Sequence, residues 1–257
     1  MQDTAAAPTF TLAHVPGVIP DKWVRTWGRR YPGTPLELVQ APAIEADRLV
    51  RDGEVDAVLL RLPIDREGLH AIPLYTEKTV VVIPKDHFVA AADEVAPEEL
   101  ADEIVQHPLD DVLDWDGPPG RPAFERPATT GDAIQLVAAG VGLLVVPMSL
   151  ARLHHRKDLT YRPLTGVPES TVALTWPEDG TTELMEQFIG IVRGRTPNST
   201  RGRQQTEGPA KRTRKAGANS PQSGGKAGQG KDSGRKPGKP KPPARAPRPG
   251  KRGSRRR

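Results

Sequence analysis

The chain has 257 residues, a formal net charge of +5 and no cysteine. The lack of cysteine excludes disulfides, thiolate nucleophiles and cysteine-ligated metal sites. The start of the chain is not a basic segment followed by an apolar one, and no apolar run approaches the length of about eighteen residues that a membrane-spanning helix needs. We therefore expect a cytoplasmic protein with neither a signal peptide nor a membrane contact.

The composition changes sharply near residue 197. Residues 201–257 contain 19 Lys and Arg against two acidic residues and no Ile, Leu, Val, Met or aromatic residue, which gives this segment a net charge of +17 and leaves −12 for residues 1–200. A segment without large apolar side chains cannot offset the entropy lost on ordering. The sequence therefore predicts a flexible start at 1–8, a folded domain at 9–195, and a disordered basic tail at 196–257.

Short apolar segments alternate with helical patterns in the first part of the folded domain. Two successive strand–helix–strand units of this kind imply a parallel sheet covered by helices. The predicted order is a strand at 9–15, a helix with Ile19, Trp23 and Trp27 on one face, a strand at 35–42, a helix with Ile44 near Leu49 and Val50, and a buried strand at 56–63.

The pattern then changes, which indicates a second lobe. The segment IPLYTEKTVVVIPKDH is strand-like without an intervening helix, so we expect crossings between lobes near residues 80–88 and again near 155–170. A last amphipathic helix, with Leu184, Phe188 and Ile191 on one side, is predicted to return to the first lobe. The predicted fold is a two-lobed α/β domain, with lobe I at about 9–85 and 165–195 and lobe II at about 86–164.

The segment ATTGDAIQLVAAGVGLLVVP predicts a helix, a tight turn and a buried strand in lobe II. Thr129 or Thr130 stands at the N-cap position, and Asp132 lies three residues beyond Thr129 as a weak capping box. We expect the helix to start near Gly131 and to end at Gly140, and the strand to follow as the branched block before Pro147.

Four stretches resemble the effector-binding domain of LysR-type transcriptional regulators: RRYPGTPLELV, RLVRDGEVDAVLLRLP, IPLYTEKTVVVIPKDHFVAAADEVAPEELAD and GDAIQLVAAGVGLLVVPMSLARL. The resemblance implies a fold like that of the type 2 periplasmic binding proteins, with a small-molecule cleft between the lobes. It also implies a homodimer, which we expect to form through the first helix with Trp23 or Trp27 exposed. Members of the family begin with a winged helix-turn-helix; only eight residues precede the first strand here, so we expect this DNA reader to be missing.

A cleft bordered by helix N-termini attracts anions, because the first backbone N–H groups of a helix are unpaired and carry partial positive charge. Candidate ends lie near 16–19 and 129–132, so we expect an anionic effector. Alternatively, the threonines are only helix caps and the arginine of the third strand is a solvated surface group. The predicted effector-binding residues are Pro16, Gly17, Val18, Ala43, Arg61, Thr129, Thr130 and Gly131.

Two features indicate a cleft that is either less polar than is usual in the family or no longer used for an effector. Pro16 and Pro42 have no N–H to donate, and Ala43 has no polar side chain. His14, next to the first loop, is a candidate donor in their place, although a lone histidine at a strand end is more often structural.

The basic tail is predicted to bind DNA or RNA through phosphates without base specificity, since it has no aromatic residue to stack on bases. Alternatively, the tail only solubilises the chain or folds back on the acidic body. The predicted nucleic-acid-binding residues are Lys211, Arg212, Arg214, Lys215, Arg235, Lys236, Arg248, Lys251, Arg252, Arg255, Arg256 and Arg257.

An enzyme is the less favoured interpretation. The segment LDDVLDWDG, together with His107, supplies carboxylates that a divalent metal would accept, but the spacing does not fit a calcium loop, and there is neither a glycine-rich phosphate loop nor a catalytic triad pattern. We therefore predict no catalysis, cofactor or metal. Two hypotheses remain: an effector-binding protein involved in transcriptional regulation, or a stand-alone solute-binding or protein-interaction module without DNA binding.

Overall fold

The computed structural model describes residues 8–195, which form two α/β lobes. The predicted flexible start, except for Pro8, and the predicted disordered tail lie outside the described residues. Each lobe is built on one five-stranded mixed sheet, and this confirms the predicted two-lobed α/β fold. None of the helices within 8–195 has the length and apolar character that a bilayer crossing requires.

Lobe I contains both ends of the described chain. Its sheet has the order β2-β1-β3-β10-β4; β1 runs parallel to β2 and β3, and β10 runs antiparallel to β3 and β4. The strands are β1 (Phe10–His14), β2 (Leu36–Gln40), β3 (Ala57–Leu62), β4 (Leu69–Glu77) and β10 (Ser170–Pro177). The helices are α1 (Asp21–Arg30), α2 (Ala46–Arg51) and α5 (Glu183–Val192).

Aromatic packing joins the first and last helices of lobe I to its sheet. The ring of Phe10 on β1 lies 5.1 Å from the ring of Trp27 on α1 and 5.1 Å from the ring of Phe188 on α5. Phe188 is fully buried, so the prediction that the last helix returns to lobe I is confirmed.

The prediction that Trp23 or Trp27 of α1 is exposed to a dimer partner is wrong. Trp23 is 5% exposed and Trp27 is 1% exposed. The indole N–H of Trp27 also donates to the carbonyl oxygen of Thr34 at 2.9 Å, which closes the turn after the helix. Because this face of α1 covers the sheet of lobe I, it cannot also form an exposed dimer contact.

Two isoleucines predicted on apolar helix faces lie outside their helices. Ile19 precedes α1, which begins at Asp21 after Pro20, and it is 70% exposed. Ile44 lies in a 3₁₀ turn (Ala43–Glu45) before α2 and is 84% exposed. Their spacing fits a helix, but the helix begins only after each of them.

Lobe II is built on the sheet β7-β6-β8-β5-β9, with an apolar core on each face. Its strands are β5 (Thr79–Pro84), β6 (Ile104–Gln106), β7 (Arg121–Pro122), β8 (Leu143–Pro147) and β9 (Leu159–Pro163). Its helices are α3 (Thr130–Ala138) and α4 (Met148–Leu153). The segment LVAAGVGLLVVP therefore forms the end of α3, a turn in which Gly140 and Gly142 have positive φ, and the central strand β8.

The first crossing between lobes is only one residue long. Lys78 separates β4, in the sheet of lobe I, from β5, in the sheet of lobe II. The predicted boundary near residue 85 is therefore too late, because β5 belongs to lobe II. No turn residue marks this crossing, so the two strands are continuous in the sequence pattern. The return crossing lies between β9 and β10.

Candidate functional site

A cavity of about 580 Å³ lies between the two lobes. Lobe I contributes the loops after β1 and β2, and lobe II contributes the start of α3 and one face of α4. Six of the eight predicted effector-binding residues line this inter-lobe cavity: Pro16, Ala43, Arg61, Thr129, Thr130 and Gly131. Gly17 and Val18 instead line an adjacent cavity of about 620 Å³, which shares Gln40 and Leu153 with the first.

The N-terminus of α3 is closed by its own capping box. Thr129 is the N-cap: its Oγ1 accepts the N–H of Asp132 at 3.1 Å, and it donates to the Asp132 carboxylate at 2.8 Å. The Asp132 carboxylate also accepts the backbone N–H of Thr129 at 3.2 Å. These bonds confirm the predicted capping box, and they engage the Thr129 hydroxyl within the helix rather than leaving it free for a ligand.

Asp110 is a cavity residue that the sequence did not predict as part of an effector site. Its Oδ1 accepts a hydrogen bond from the Oγ1 of Thr130 at 2.9 Å, and Thr130 is only 3% exposed. The two residues are twenty positions apart, and no local pattern signals their contact. The carboxylate of Asp110 thus lies at the N-terminus of α3, on the wall of the cavity.

Hydrogen bonds to backbone carbonyl groups hold the loop that carries Asp110. Arg126 donates to the carbonyl oxygens of His107 at 2.8 Å and of Pro108 at 2.7 Å. The N–H of Leu109 donates to the carbonyl oxygen of Pro127 at 2.9 Å. Because these bonds attach the loop to the segment just before α3, Asp110 has a defined position relative to Thr130.

Arg61 is buried and joins the two lobes. It is 7% exposed, and its Nε lies 3.2 Å from Oε2 of the buried Glu77. Its Nη1 donates to the carbonyl oxygen of Pro16 at 2.9 Å, and its Nη2 donates to Oγ of Ser149 on α4 at 2.9 Å. The interpretation of Arg61 as a solvated surface group is therefore wrong, since its guanidinium is engaged at the junction between lobes.

The other helix end expected in the cleft is not at the predicted place. We expected a helix N-terminus near 16–19, but α1 begins at Asp21, and Pro20 at its N-cap makes no side-chain cap. Both of these residues line the adjacent cavity. Of the two helix ends expected to attract an anion, only that of α3 therefore borders the inter-lobe cavity.

The adjacent cavity contains further polar groups. His14, the alternative donor of the sequence analysis, lines this cavity rather than the first, and its Nδ1 is buried without a hydrogen-bond partner among the described residues. Burial and, to a smaller extent, the charge of Glu77 raise the pKa of the Tyr75 hydroxyl. Lys22 lies 4.4 Å from the centre of the Trp23 ring.

The aspartate-rich loop is held by internal hydrogen bonds. Asp111 accepts the indole N–H of Trp115 at 2.7 Å and the backbone N–H of Leu113 at 3.1 Å, and its Oδ2 lies 3.2 Å from Nε2 of His107. Within residues 8–195, no three His, Asp or Glu side chains converge in a metal-binding arrangement.

Comparison with solved structures identifies the fold. The effector-binding domain of BenM, in a structure with its effector benzoate, has a TM-score of 0.63 and is 18% identical, covering 74% of this chain and 92% of that one. The oxidised form of OxyR has a TM-score of 0.60 and is 21% identical, covering 73% of this chain and 93% of that one.

The curated relatives are transcriptional regulators. HcaR, the Hca operon transcriptional activator of Escherichia coli K12, is 26% identical over 182 residues, which are 66% of this chain and 61% of the relative. A probable hydrogen peroxide-inducible genes activator of Mycobacterium avium is 30% identical over 144 residues, which are 52% of this chain and 46% of the relative. The chain thus spans about half to three-fifths of the length of these relatives.

The family model for the LysR substrate binding domain matches residues 5–197, which is most of the chain. This range includes both lobes, the two crossings between them and every residue that lines the inter-lobe cavity. The chain therefore belongs to the LysR substrate binding domain family.

Proposed function

We propose that this chain binds a small-molecule effector in the inter-lobe cavity and takes part in transcriptional regulation. The observation that carries this proposal is the cavity itself, because both lobes of a chain of the LysR family form its walls. Its volume of about 580 Å³ lies within the range typical of small-molecule sites. Pro16, Pro42 and Leu150 make much of the lining apolar.

Effector binding would act by changing the position of one lobe relative to the other. A ligand shifts an equilibrium between arrangements only by its difference in affinity for them. A ligand in this cavity would touch the loops after β1 and β2 as well as the start of α3 and one face of α4, so its contacts depend on how the lobes are placed. The Arg61–Ser149 hydrogen bond lies next to the cavity and would respond to the same change.

The basic tail would provide contact with DNA or RNA. Its 19 cations in residues 201–257 supply phosphate-binding charge, and the absence of aromatic residues there favours binding without sequence preference. All twelve predicted nucleic-acid-binding residues lie outside the described residues. The proposal for the tail rests on composition.

Self-association would use the edge of the lobe I sheet rather than the tryptophan face of α1. Strand β2 lies at that edge, and its Leu38 and Val39 are exposed. An edge strand presents unpaired backbone groups and is a ready surface for another chain. We therefore assign the homodimer contact to β2.

The effector proposal can be tested by filling the cavity. Gly131 lines it, and a Cβ added there would meet only ordinary contacts with His154 and Thr129. We expect native mass spectrometry of the full chain, purified from its own host, to detect a bound small molecule. The variant Gly131→Leu should no longer bind this molecule. Gly28→Leu is the matched control, since a Cβ on that glycine of α1 has no neighbour within 4 Å. Equal retention by Gly131→Leu would place the molecule elsewhere.

A further inference from the structure

One carboxylate of the inter-lobe cavity has no ion-pair partner within residues 8–195. Its ionisable lining residues are Arg61, Asp110 and His154. The charge of Arg61 is offset by Glu77, with which it forms a buried ion pair at 3.2 Å. Asp110 and His154 are the ionisable lining residues that remain outside this pair.

Asp110 has no cationic partner within residues 8–195. Its one hydrogen bond is the one that Oδ1 accepts from Thr130, a neutral donor, so Oδ2 is left for a ligand or water. The neighbouring cavity of about 380 Å³ shares Asp110 and adds Asp47, Asp111 and Asp114 to its lining. Asp47 is paired with Arg51, so the carboxylates that this end of the cleft presents without an arginine or lysine partner within residues 8–195 are Asp110, Asp111 and Asp114.

Two carboxylates already lie at the N-terminus of α3. A helix N-terminus favours a nearby negative charge. Here Asp132 completes the capping box with Thr129, and Asp110 accepts from Thr130 in the first turn. A carboxylate ligand at this position would lie against Asp110, and Arg61, the arginine of the cavity wall, is already paired with Glu77.

We infer that the inter-lobe cavity takes a ligand with a cationic group, an ammonium or amidinium on a small and partly apolar body, and that Asp110 receives this group and excludes carboxylates. This inference rests on the proposed function of the cavity and specifies its ligand class. The cation would lie at Oδ2 of Asp110, where a charge-assisted hydrogen bond can form. The apolar body would contact Val112, Leu150 and Leu153.

The test compares three probes of similar shape: benzylamine, which is protonated at neutral pH, benzamide and benzoate. Each is titrated into the ¹⁵N-labelled full chain, and the backbone amide signal of Gly131 reports binding in the cavity. We expect benzylamine to bind at least about tenfold more tightly than benzoate, a difference within the range of one charge-assisted contact. Asp110→Asn should remove this preference, with weaker binding of benzylamine and tighter binding of benzoate.

Asp114→Asn is the matched control, since Asp114 is an exposed acid of the neighbouring cavity that does not line the inter-lobe cavity. It should change the preference by less than about twofold, because solvent and salt screen a more distant charge. Thermal unfolding of both variants verifies that they fold.

The possible outcomes separate this inference from the proposed function. If benzoate binds the unmodified chain as tightly as benzylamine, or if Asp110→Asn leaves the preference unchanged, the cavity binds ligands but Asp110 does not select their charge. If none of the three probes shifts the Gly131 signal at millimolar concentration, both the cavity's proposed role and the inference are overturned.

Discussion

Nη2 of Arg61, on a strand of lobe I, donates a hydrogen bond to Oγ of Ser149, on a helix of lobe II, at a distance of 2.9 Å. The same guanidinium pairs with Glu77, the last residue of β4 before the first crossing. Arg61 therefore links the buried strand of one lobe, the crossing and the second lobe, and it does so beside the inter-lobe cavity.

Replacement of Arg61 by Ala should destabilise the domain strongly. It leaves the carboxylate of Glu77 buried without its partner, and breaking a buried pair in this way typically costs about 3–5 kcal/mol. Urea unfolding of the 8–195 domain within the full chain measures the change. The double variant Arg61→Met/Glu77→Gln should recover part of the loss, because it removes the uncompensated charge. Arg48→Ala, at an exposed ion pair, is the control and should have little effect.

Gly17→Ala should be more destabilising than its backbone conformation alone explains. Gly17 has a φ of +82°, and an added Cβ would lie 2.8 Å from Oγ of Ser149. Gly53 has a φ of +71° with no neighbour within 4 Å of its added Cβ, so Gly53→Ala measures the conformational cost, about 1–2 kcal/mol. We expect Gly17→Ala to lose about 1–3 kcal/mol more through crowding at the lobe junction. Equal losses in chemical unfolding would show that the junction relaxes freely.

Thr129→Ala should reduce stability by about 0.5–2 kcal/mol through loss of the N-cap of α3. Thr182→Ala is the matched control, since Thr182 caps α5 by accepting the N–H of Met185 at 3.2 Å. Both should lower the midpoint of urea unfolding by similar amounts, but only Thr129→Ala should alter the Gly131 signal or ligand binding in the cavity. A ligand effect of Thr182→Ala would indicate that general destabilisation, rather than the cavity wall, controls binding.

Deletion of residues 201–257 should abolish nucleic-acid binding and leave ligand binding in the cavity intact. If about six to ten of the tail's cations contact phosphates, the affinity of the full chain for DNA should fall by roughly 10³ to 10⁵ between 50 and 200 mM salt. Fluorescence anisotropy with two unrelated DNA duplexes should give the same salt dependence for both. Unchanged DNA binding by the truncated chain would exclude the tail as the contact, whereas a lack of DNA binding by the full chain would favour a solute-binding or interaction module.

Val39→Lys should weaken self-association. Val39 is exposed on the edge strand β2, and a charged residue on an edge strand disfavours pairing with another chain. Val141→Lys is the control, because Val141 is similarly exposed but lies in the turn before β8 of lobe II. Sedimentation equilibrium should show the association constant reduced only by Val39→Lys; equal behaviour of the two variants would remove β2 from the interface.

The sequence determined the features that depend on neighbouring residues. The cap of α3 was predictable because Thr129 and Asp132 are three positions apart, the spacing at which a first-turn carboxylate reaches back to the cap. The buried strand β8 was predictable from its branched apolar block and from the glycines before it. The segment at the start of α3 and the loop after β1 could be assigned to a cleft. Four stretches of the sequence resemble the LysR-type effector-binding domain, and this resemblance implies a cleft between two lobes.

Only the tertiary structure decided which groups in the cleft are free. Arg61 is 88 positions from Ser149, and Asp110 is 20 positions from Thr130, so no local pattern records either hydrogen bond. The predicted position of the first crossing was also wrong. β4 and β5 form one continuous strand-like pattern in the sequence, although they join different sheets on either side of Lys78. Residue type shows that a group can carry charge, whereas its partners, which packing brings from distant parts of the chain, determine whether that charge remains available to a ligand.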